Sequence, residues 1–422
     1  MRIVFAALLA AASCAGIAQA QMSPPIGAGD VTTLDEALAQ AGAASPSTEA
    51  AGAGIRAAEA GRDIAGLRPN PSISFETENV AGTGPYRGIG ESETTVGFSL
   101  PLELGGKRGA RVGVADARLS RARLEAAIAL GDLRLYVTQA YIEAVASERR
   151  LAVARDQLRI ASDALGVATD RVDVGYASPI DRQRAQVQQI NARTGVERAE
   201  RAMMLARATL ERLVGKPIAG PLDTAWFDRT TLPASGPDAP MPVEDTLAFA
   251  AARADLGIAD ANVRLARSQR VPDLTLSAGT RRIEATNDQA MVFGISIPLP
   301  LFNNGRATLS QARAERDQAD ARVRVARIEV DQQISAAIAD RDNAAASVRA
   351  SEPAIAAAEE AARIARIGYG QGKFDQIVLI DAERTLAETR AAQIDALAAY
   401  HDAEARLARL TAPAPQLSGD NR

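Results

Sequence analysis

The chain is written twice. Gly97-Phe98-Ser99-Leu100-Pro101-Leu102 returns 197 residues later as Gly294-Ile295-Ser296-Ile297-Pro298-Leu299, and the same offset carries Gly175 onto Gly372 and Ala185 onto Ala382. A period this long marks a duplicated supersecondary unit, so the fold must accommodate two related copies of one element order. Each copy reads as an upstream helix, two short strands, one very long helix, a turn and a shorter helix.

A seam fixes the long helices. From Ala126 through Leu130, Leu133, Val137, Ala140 and Ala144 to Val172, small or apolar residues recur in alternating steps of four and three, with Ser147 the one polar member. A spacing of 3.5 held this long predicts a left-handed supercoil. Moved by 197, the seam runs from Val323 to Tyr369 with Arg327 and Arg341 interrupting it. The aromatic share is only 4%, so packing must come mainly from Ala and Leu on closely approaching helices. The long helices are predicted over 111–172 and 307–367, the second kinked at Pro353. Gly175 ends the first. Ser178 then caps a shorter helix to Val214, with Pro179 in its first turn. In the second copy Gly368, Gly370 and Gly372 make the turn before a helix to Leu410. Upstream helices are predicted over 34–65 and 243–269.

The strands show period two. Ile73 and Phe75 alternate with Ser72, Ser74 and Glu76. Val96, Phe98 and Leu100 alternate with Thr95, Gly97 and Ser99. Leu274 and Leu276, then Phe293, Ile295 and Ile297, repeat the pattern. Four strands cannot enclose a lumen, whereas three copies would supply twelve, enough for a pore. The strands alone leave a second arrangement open, a four-stranded sheet resting on a helical bundle in the periplasm.

Met1-Arg2, the apolar run from Ile3 to Ala12 and Ala18-Gln19-Ala20 form a secretory signal peptide over 1–20. Cys14 offers the alternative of a lipid-attachment cysteine. Beyond the signal no apolar run of about 18 residues remains, so membrane insertion would have to be by a closed β-barrel. Segments then follow as a first repeat over 21–215, a Pro-rich linker over 216–242, a second repeat over 243–412 and a tail over 413–422. A net charge of −4 with interspersed signs argues against nucleic-acid binding.

Asn70-Pro71-Ser72-Ile73-Ser74-Phe75-Glu76, the loop Gly84-Pro85-Tyr86-Arg87-Gly88, the block from Gly97 to Arg108, and Gly372-Lys373-Phe374 followed by Leu379 to Leu386 resemble the outer membrane factors of the TolC family. The first blocks look most like its heavy-metal, CzcC-like branch. The resemblance covers nearly the whole mature chain. It implies a mainly α fold with a small β part: a homotrimer with a long α-helical coiled-coil barrel in the periplasm and a transmembrane β-barrel of four strands per chain in the outer membrane. It also implies an efflux conduit without a cofactor, joined by a periplasmic adaptor (membrane fusion) protein to a proton-driven inner-membrane RND pump. The turns at Gly175, Tyr176 and Ser178 and at Gly372, Lys373 and Phe374 would dock the adaptor. Asp381 stands where the family carries an entrance aspartate, and Asp375, Asp181 and Asp173 lie near the turns. On a three-fold axis any inward-facing Asp becomes a ring of carboxylates that attracts cations and gates a pore. The position three before Asp381 is Val378, so one acidic ring is missing.

The chain itself has no usual soft-metal site. His401 is the one histidine, and carboxylates hold soft divalent ions weakly. No G-x-S-x-G occurs, and Gly105-Gly106-Lys107-Arg108 lacks the rest of a phosphate loop. The reading is a passive conduit for divalent heavy metals of the cobalt, zinc and cadmium kind, and not an enzyme. Two alternatives stay open: a channel of the same fold for drugs or type I protein secretion, and a soluble periplasmic coiled-coil adaptor.

Overall fold

The structure, a computed structural model, describes residues 31–230 and 242–415. The signal segment, Cys14, linker residues 231–241 with three of the linker's six prolines, and the last seven residues lie outside them.

Eight α-helices are described. Two short ones, α1 (Leu34–Ala44) and α2 (Pro46–Gly66), replace the single helix expected over 34–65. The break comes at Ser45. Pro46 has no N–H to donate, and Ser45 is extended (φ −76°, ψ 127°). The strands β1 (Ser72–Glu78) and β2 (Glu93–Leu102) lead into α3 (Lys107–Asp173) and α4 (Pro179–Val214). The linker holds a short helix, α5 (Thr224–Asp228). The second copy begins at α6 (Leu247–Ser268), shorter than expected because Thr246 caps it, its hydroxyl accepting the Phe249 N–H at 3.4 Å. Then come β3 (Leu274–Ile283), β4 (Asp288–Ser296), α7 (Arg306–Gly370) and α8 (Gln376–Leu410). The 67 residues of α3 extend for about 100 Å at 1.5 Å per residue. Helix α7 runs unbroken through Pro353. Gly368 and Gly370 belong to its last turn, not to the connection after it.

The seam is buried in both copies. Leu133, Val137, Ala144, Ser147 and Leu151 on α3, and Val330, Ile334, Ala337, Ala344 and Val348 on α7, are all below a tenth exposed. Ser147 satisfies itself by donating to the Ala144 carbonyl at 2.8 Å. Helix α2 flanks the start of α3 and α4 its end; α6 and α8 do the same for α7. Between the two hairpins, Arg150 to Asp395 (2.8 Å), Arg390 to Asp156 (3.0 Å) and Arg409 to Asp132 (2.6 Å) tie α8 to α3.

The linker is clamped to the middle of the bundle. The buried Tyr141 hydroxyl donates to the Thr32 carbonyl (2.8 Å) and accepts the Asp223 N–H (2.9 Å). Burial pushes its pKa up to about 12, which keeps the proton for that bond. Trp226 stacks on His401 with centroids 4.4 Å apart, and His401 Nε2 bonds the Phe227 carbonyl at 2.9 Å. The single histidine is a packing residue, as its isolation in the sequence suggested.

The four strands form one antiparallel sheet in the order β1-β2-β3-β4, so the two copies join at β2–β3. Its register sorts the two faces. Ile73 pairs with Phe98, Phe98 with Ala278 and Ala278 with Phe293; Leu100 pairs with Leu276 and Leu276 with Ile295. This face is apolar and its large side chains are exposed in the protomer. The rows between them are mostly small and polar: Ser72–Ser99–Ser277–Gly294 and Ser74–Gly97–Gly279–Val292, with Val292 the one apolar side chain. Near the hairpin ends of that polar face Arg281 bonds Glu78 (3.2 Å), Glu93 (2.8 Å) and the Thr95 hydroxyl (3.0 Å), stapling three strands. No helix is long and apolar enough to cross a membrane among the described residues. One apolar and one polar face on a sheet that leaves β1 and β4 as free edges is what a lipid-facing barrel segment requires.

Candidate functional site

The site expected from the sequence is the pair of turns where α3 passes to α4 and α7 to α8. Both are built on one left-handed glycine: φ is +80° at Gly175 and +71° at Gly372. After Gly175, the Tyr176 and Ala177 N–H groups close onto the Arg171 carbonyl (2.8 and 3.1 Å). After Gly372, the Lys373 and Phe374 N–H groups close onto the Gly368 carbonyl (2.8 and 3.3 Å). The backbone pattern is therefore the same in both copies. Tyr176 stands out into solvent, and Lys373 and Phe374 are also exposed.

The side chains differ. Ser178 caps α4, its hydroxyl accepting the Ile180 N–H at 3.4 Å, while the Asp181 carboxylate accepts the Ser178 N–H at 3.2 Å. That reciprocal pair is a capping box. Asp375 starts α8 without any side-chain cap bond, and the residue matching Asp181 is Val378. The next residue, Gln376, matches Pro179. Its carboxamide is buried, and neither Oε1 nor Nε2 has a hydrogen-bond partner. It lies on the wall of a cavity of about 260 Å³ between α3, α4 and α8, beside Gln157, Gln188 and Asn191.

The four aspartates do not converge. Asp181 is committed to its cap. Asp173 is 3.5 Å from Arg182, and Asp381 is 3.1 Å from Arg384. Asp381 is largely exposed, on an open cleft shared with Ile364, Phe374, Ile377 and Val378. No group of three His, Cys, Asp or Glu residues able to hold a metal ion exists among the described residues.

Two contacts at the tips were not legible in the sequence. The Arg171 guanidinium lies 4.9 Å from the centre of the Tyr369 ring and Nη1 donates to the Tyr369 carbonyl at 3.3 Å, so the end of α3 grips the end of α7. The Phe374 ring folds over Gly368 so closely that a Cβ on Gly368 would fall inside it. The glycine was visible; its reason was not. Gln376 gave no signal beyond standing where the first copy has proline.

A family model described as outer membrane efflux protein matches residues 37–216 and 244–412, that is, both copies and neither the signal nor the linker. The chain belongs to the outer membrane efflux protein family. It lies in the outer membrane and extends into the periplasm, as an efflux channel. The cobalt-zinc-cadmium resistance protein CzcC of Cupriavidus metallidurans is 29% identical over 95% of this chain and 94% of its own length. The nickel and cobalt resistance protein CnrC of the same organism is 30% identical over 69% of each. The solved outer-membrane channel OprN superposes with a TM-score of 0.74 at 21% identity, covering 90% of this chain and 89% of that one, which shows the shared fold. The CzcC-like branch is supported, and family membership decides against a soluble adaptor.

Proposed function

We propose that three copies of the chain assemble into a passive conduit that carries divalent heavy-metal cations of the cobalt, zinc and cadmium kind out of the cell. A periplasmic adaptor seats on the two helix turns, and a proton-driven RND pump in the inner membrane supplies the energy. One observation carries the cargo: the likeness to a protein named for cobalt, zinc and cadmium resistance runs the length of both chains. The side-chain inventory agrees with conduction rather than capture, because carboxylates without histidine or cysteine hold soft cations weakly. Of the entrance candidates only Asp181 is spent on helix capping, and Asp381 is the better gate because its ion pair with Arg384 is largely exposed and therefore weak. Deletion of the gene, with plasmid rescue, tests the reading on plates containing zinc, cobalt, cadmium, nickel or copper beside a drug panel. Sensitivity confined to metals is the expected result. Sensitivity confined to organic compounds would move the cargo to drugs and leave the fold untouched.

A further inference from the structure

The two strand-to-helix junctions at the base of the sheet are not equivalent. In the first copy β2 passes to α3 through Glu103-Leu104-Gly105-Gly106, and the charged groups there are paired, with Leu104 the one large apolar side chain, 42% exposed. Arg111 Nη2 bonds Glu103 Oε2 at 3.0 Å, the Leu104 N–H donates to Asp273 Oδ1 at 3.1 Å, and Lys107 pairs with Asp273 at 2.7 Å. In the second copy β4 passes to α7 through Ile297-Pro298-Leu299-Pro300-Leu301-Phe302-Asn303-Asn304. Its large side chains stand out from the protomer: Leu299 is 76% exposed, Leu301 77% and Phe302 fully exposed.

This segment prolongs the apolar face of the sheet. Phe293 and Ile295 lie on that face, and Ile297, Leu299 and Leu301 continue at every second residue past the end of β4. Where it ends, the charge is one-sided. Arg270 packs against Gly305 and donates to the Asn304 carbonyl at 3.4 Å; Arg267 lies one helical turn before it and Arg306 opens α7. All three are exposed, and among the described residues none has a carboxylate within ion-pair reach. The two acids of this rim, Glu103 and Asp273, are already held by Arg111 and Lys107.

We infer that Leu299-Pro300-Leu301-Phe302 is an interfacial hook that enters the periplasmic leaflet of the outer membrane, with Arg267, Arg270 and Arg306 bound to phospholipid phosphates. The occupant follows from two properties together. An apolar strip continuous with the lipid-facing surface ends in an aromatic residue, as chains do at a membrane boundary. The arginines beside it supply the countercharge that a phosphodiester needs and that an apolar protein partner does not. The inference rests on the outer-membrane location and is independent of which cargo the channel carries.

The test uses the full-length channel in lipid vesicles. Trp226 is the one tryptophan, so Trp226→Phe with Phe302→Trp leaves a single reporter at 302. Lipids brominated close to the glycerol should quench it strongly and lipids brominated at the chain end weakly. No quenching by either would mean that a second copy of the chain covers Phe302, and the hook would be wrong. A second measurement does not depend on that packing. Spin-labelled phosphatidylglycerol is compared with spin-labelled phosphatidylcholine at the protein surface in wild type and in Arg267→Gln/Arg306→Gln. Each charge near the surface is worth about fivefold in anionic-lipid association, so the double variant should lose most of the wild-type preference. An unchanged preference in the double variant would overturn the phosphate contacts.

Discussion

The two helix turns share a backbone and differ in what restrains it. Gly175 and Gly372 bend the chain through the same left-handed conformation, and both turns close on a carbonyl one helical turn back. The α3–α4 turn is then locked by the Ser178–Asp181 capping box with Pro179 in the first turn. The α7–α8 turn has no side-chain cap, Val378 where the capping acid would be, and a buried amide with no partner. Its hold comes from side-chain contacts in place of a cap: Phe374 folded on Gly368 within the turn, and beyond it Arg171 on Tyr369 and Arg366 with Glu383 (2.9 Å between Nη2 and Oε2). Duplication gave two equal hairpins, and divergence left one fastened by local bonds and the other by longer-range contacts. A turn held by its own cap stays closed whatever its neighbours do. A turn held by its neighbours moves when they move, so the two turns should respond differently when the contacts around them are altered.

The largest effect should come from Gly368→Ala. The added methyl meets the Phe374 ring, and such overpacking costs about 1–3 kcal/mol. Trypsin should then cut after Lys373 much faster than in wild type, while cutting near Arg182 stays unchanged. Equal acceleration at both sites would show that the turns are not independently restrained. Asp181→Ala and Asp381→Ala separate capping from gating. The first should cost about 1 kcal/mol of local stability, read as faster amide exchange at the start of α4, and leave cation block of single-channel current unchanged. The second should leave exchange unchanged and weaken cation block. If Asp181→Ala alters the block as much as Asp381→Ala does, the division of roles fails.

Gln376→Leu sharpens the contrast from the other side. An unpaired buried amide costs about 1–3 kcal/mol, and an apolar side chain of similar size removes that cost. The variant should make the α7–α8 turn more resistant to exchange and the channel harder to open. Destabilisation instead would mean that the amide has a partner in the assembled channel.

Much of this architecture was legible beforehand because it rests on periodicity. The seam of fours and threes marked both long helices, and the period-two strands marked both hairpins, since burial on one face must repeat along the chain. Ser178-Pro179 announced a helix start for the same reason: the signal is local. What stayed hidden depends on residues brought together from afar. Arg171 meets Tyr369 across 198 positions, and His401 meets Phe227 across 174. The break at Ser45 was written in Ser45-Pro46, although the sequence reads as one helix over 34–65; Gly52, Gly54 and Gly61 are all helical. The aspartates had the reverse problem. Their type suggested one role for all four, and Asp181 was distinguished only by its bond to the Ser178 N–H.

The smallest expected effect concerns acid. Asp156 on α3 accepts from Arg159 and pairs with Arg390 on α8, the link that holds α8 to α3 above the uncapped α7–α8 turn. Burial alone would raise its pKa, but the hydrogen bonds and charges of Arg159 and Arg390 outweigh burial and hold it below the usual aspartate range. A carboxyl depressed on folding contributes stability that is fully present above its unfolded pKa, about 3.9, and is lost as pH falls through the lower folded value. Between pH 7 and about 5 the link is therefore constant. Below about 4 the grip on α8 should weaken, and amide exchange along α8 should quicken relative to the same measurement on Asp156→Asn, which lacks the titrating group. The group is partly exposed, so the change is modest and is best read as a difference between the two proteins. Identical acid profiles for wild type and Asp156→Asn would mean that α8 is held by its other contacts, Arg150–Asp395 foremost, and that the uncapped turn is braced from further up the bundle.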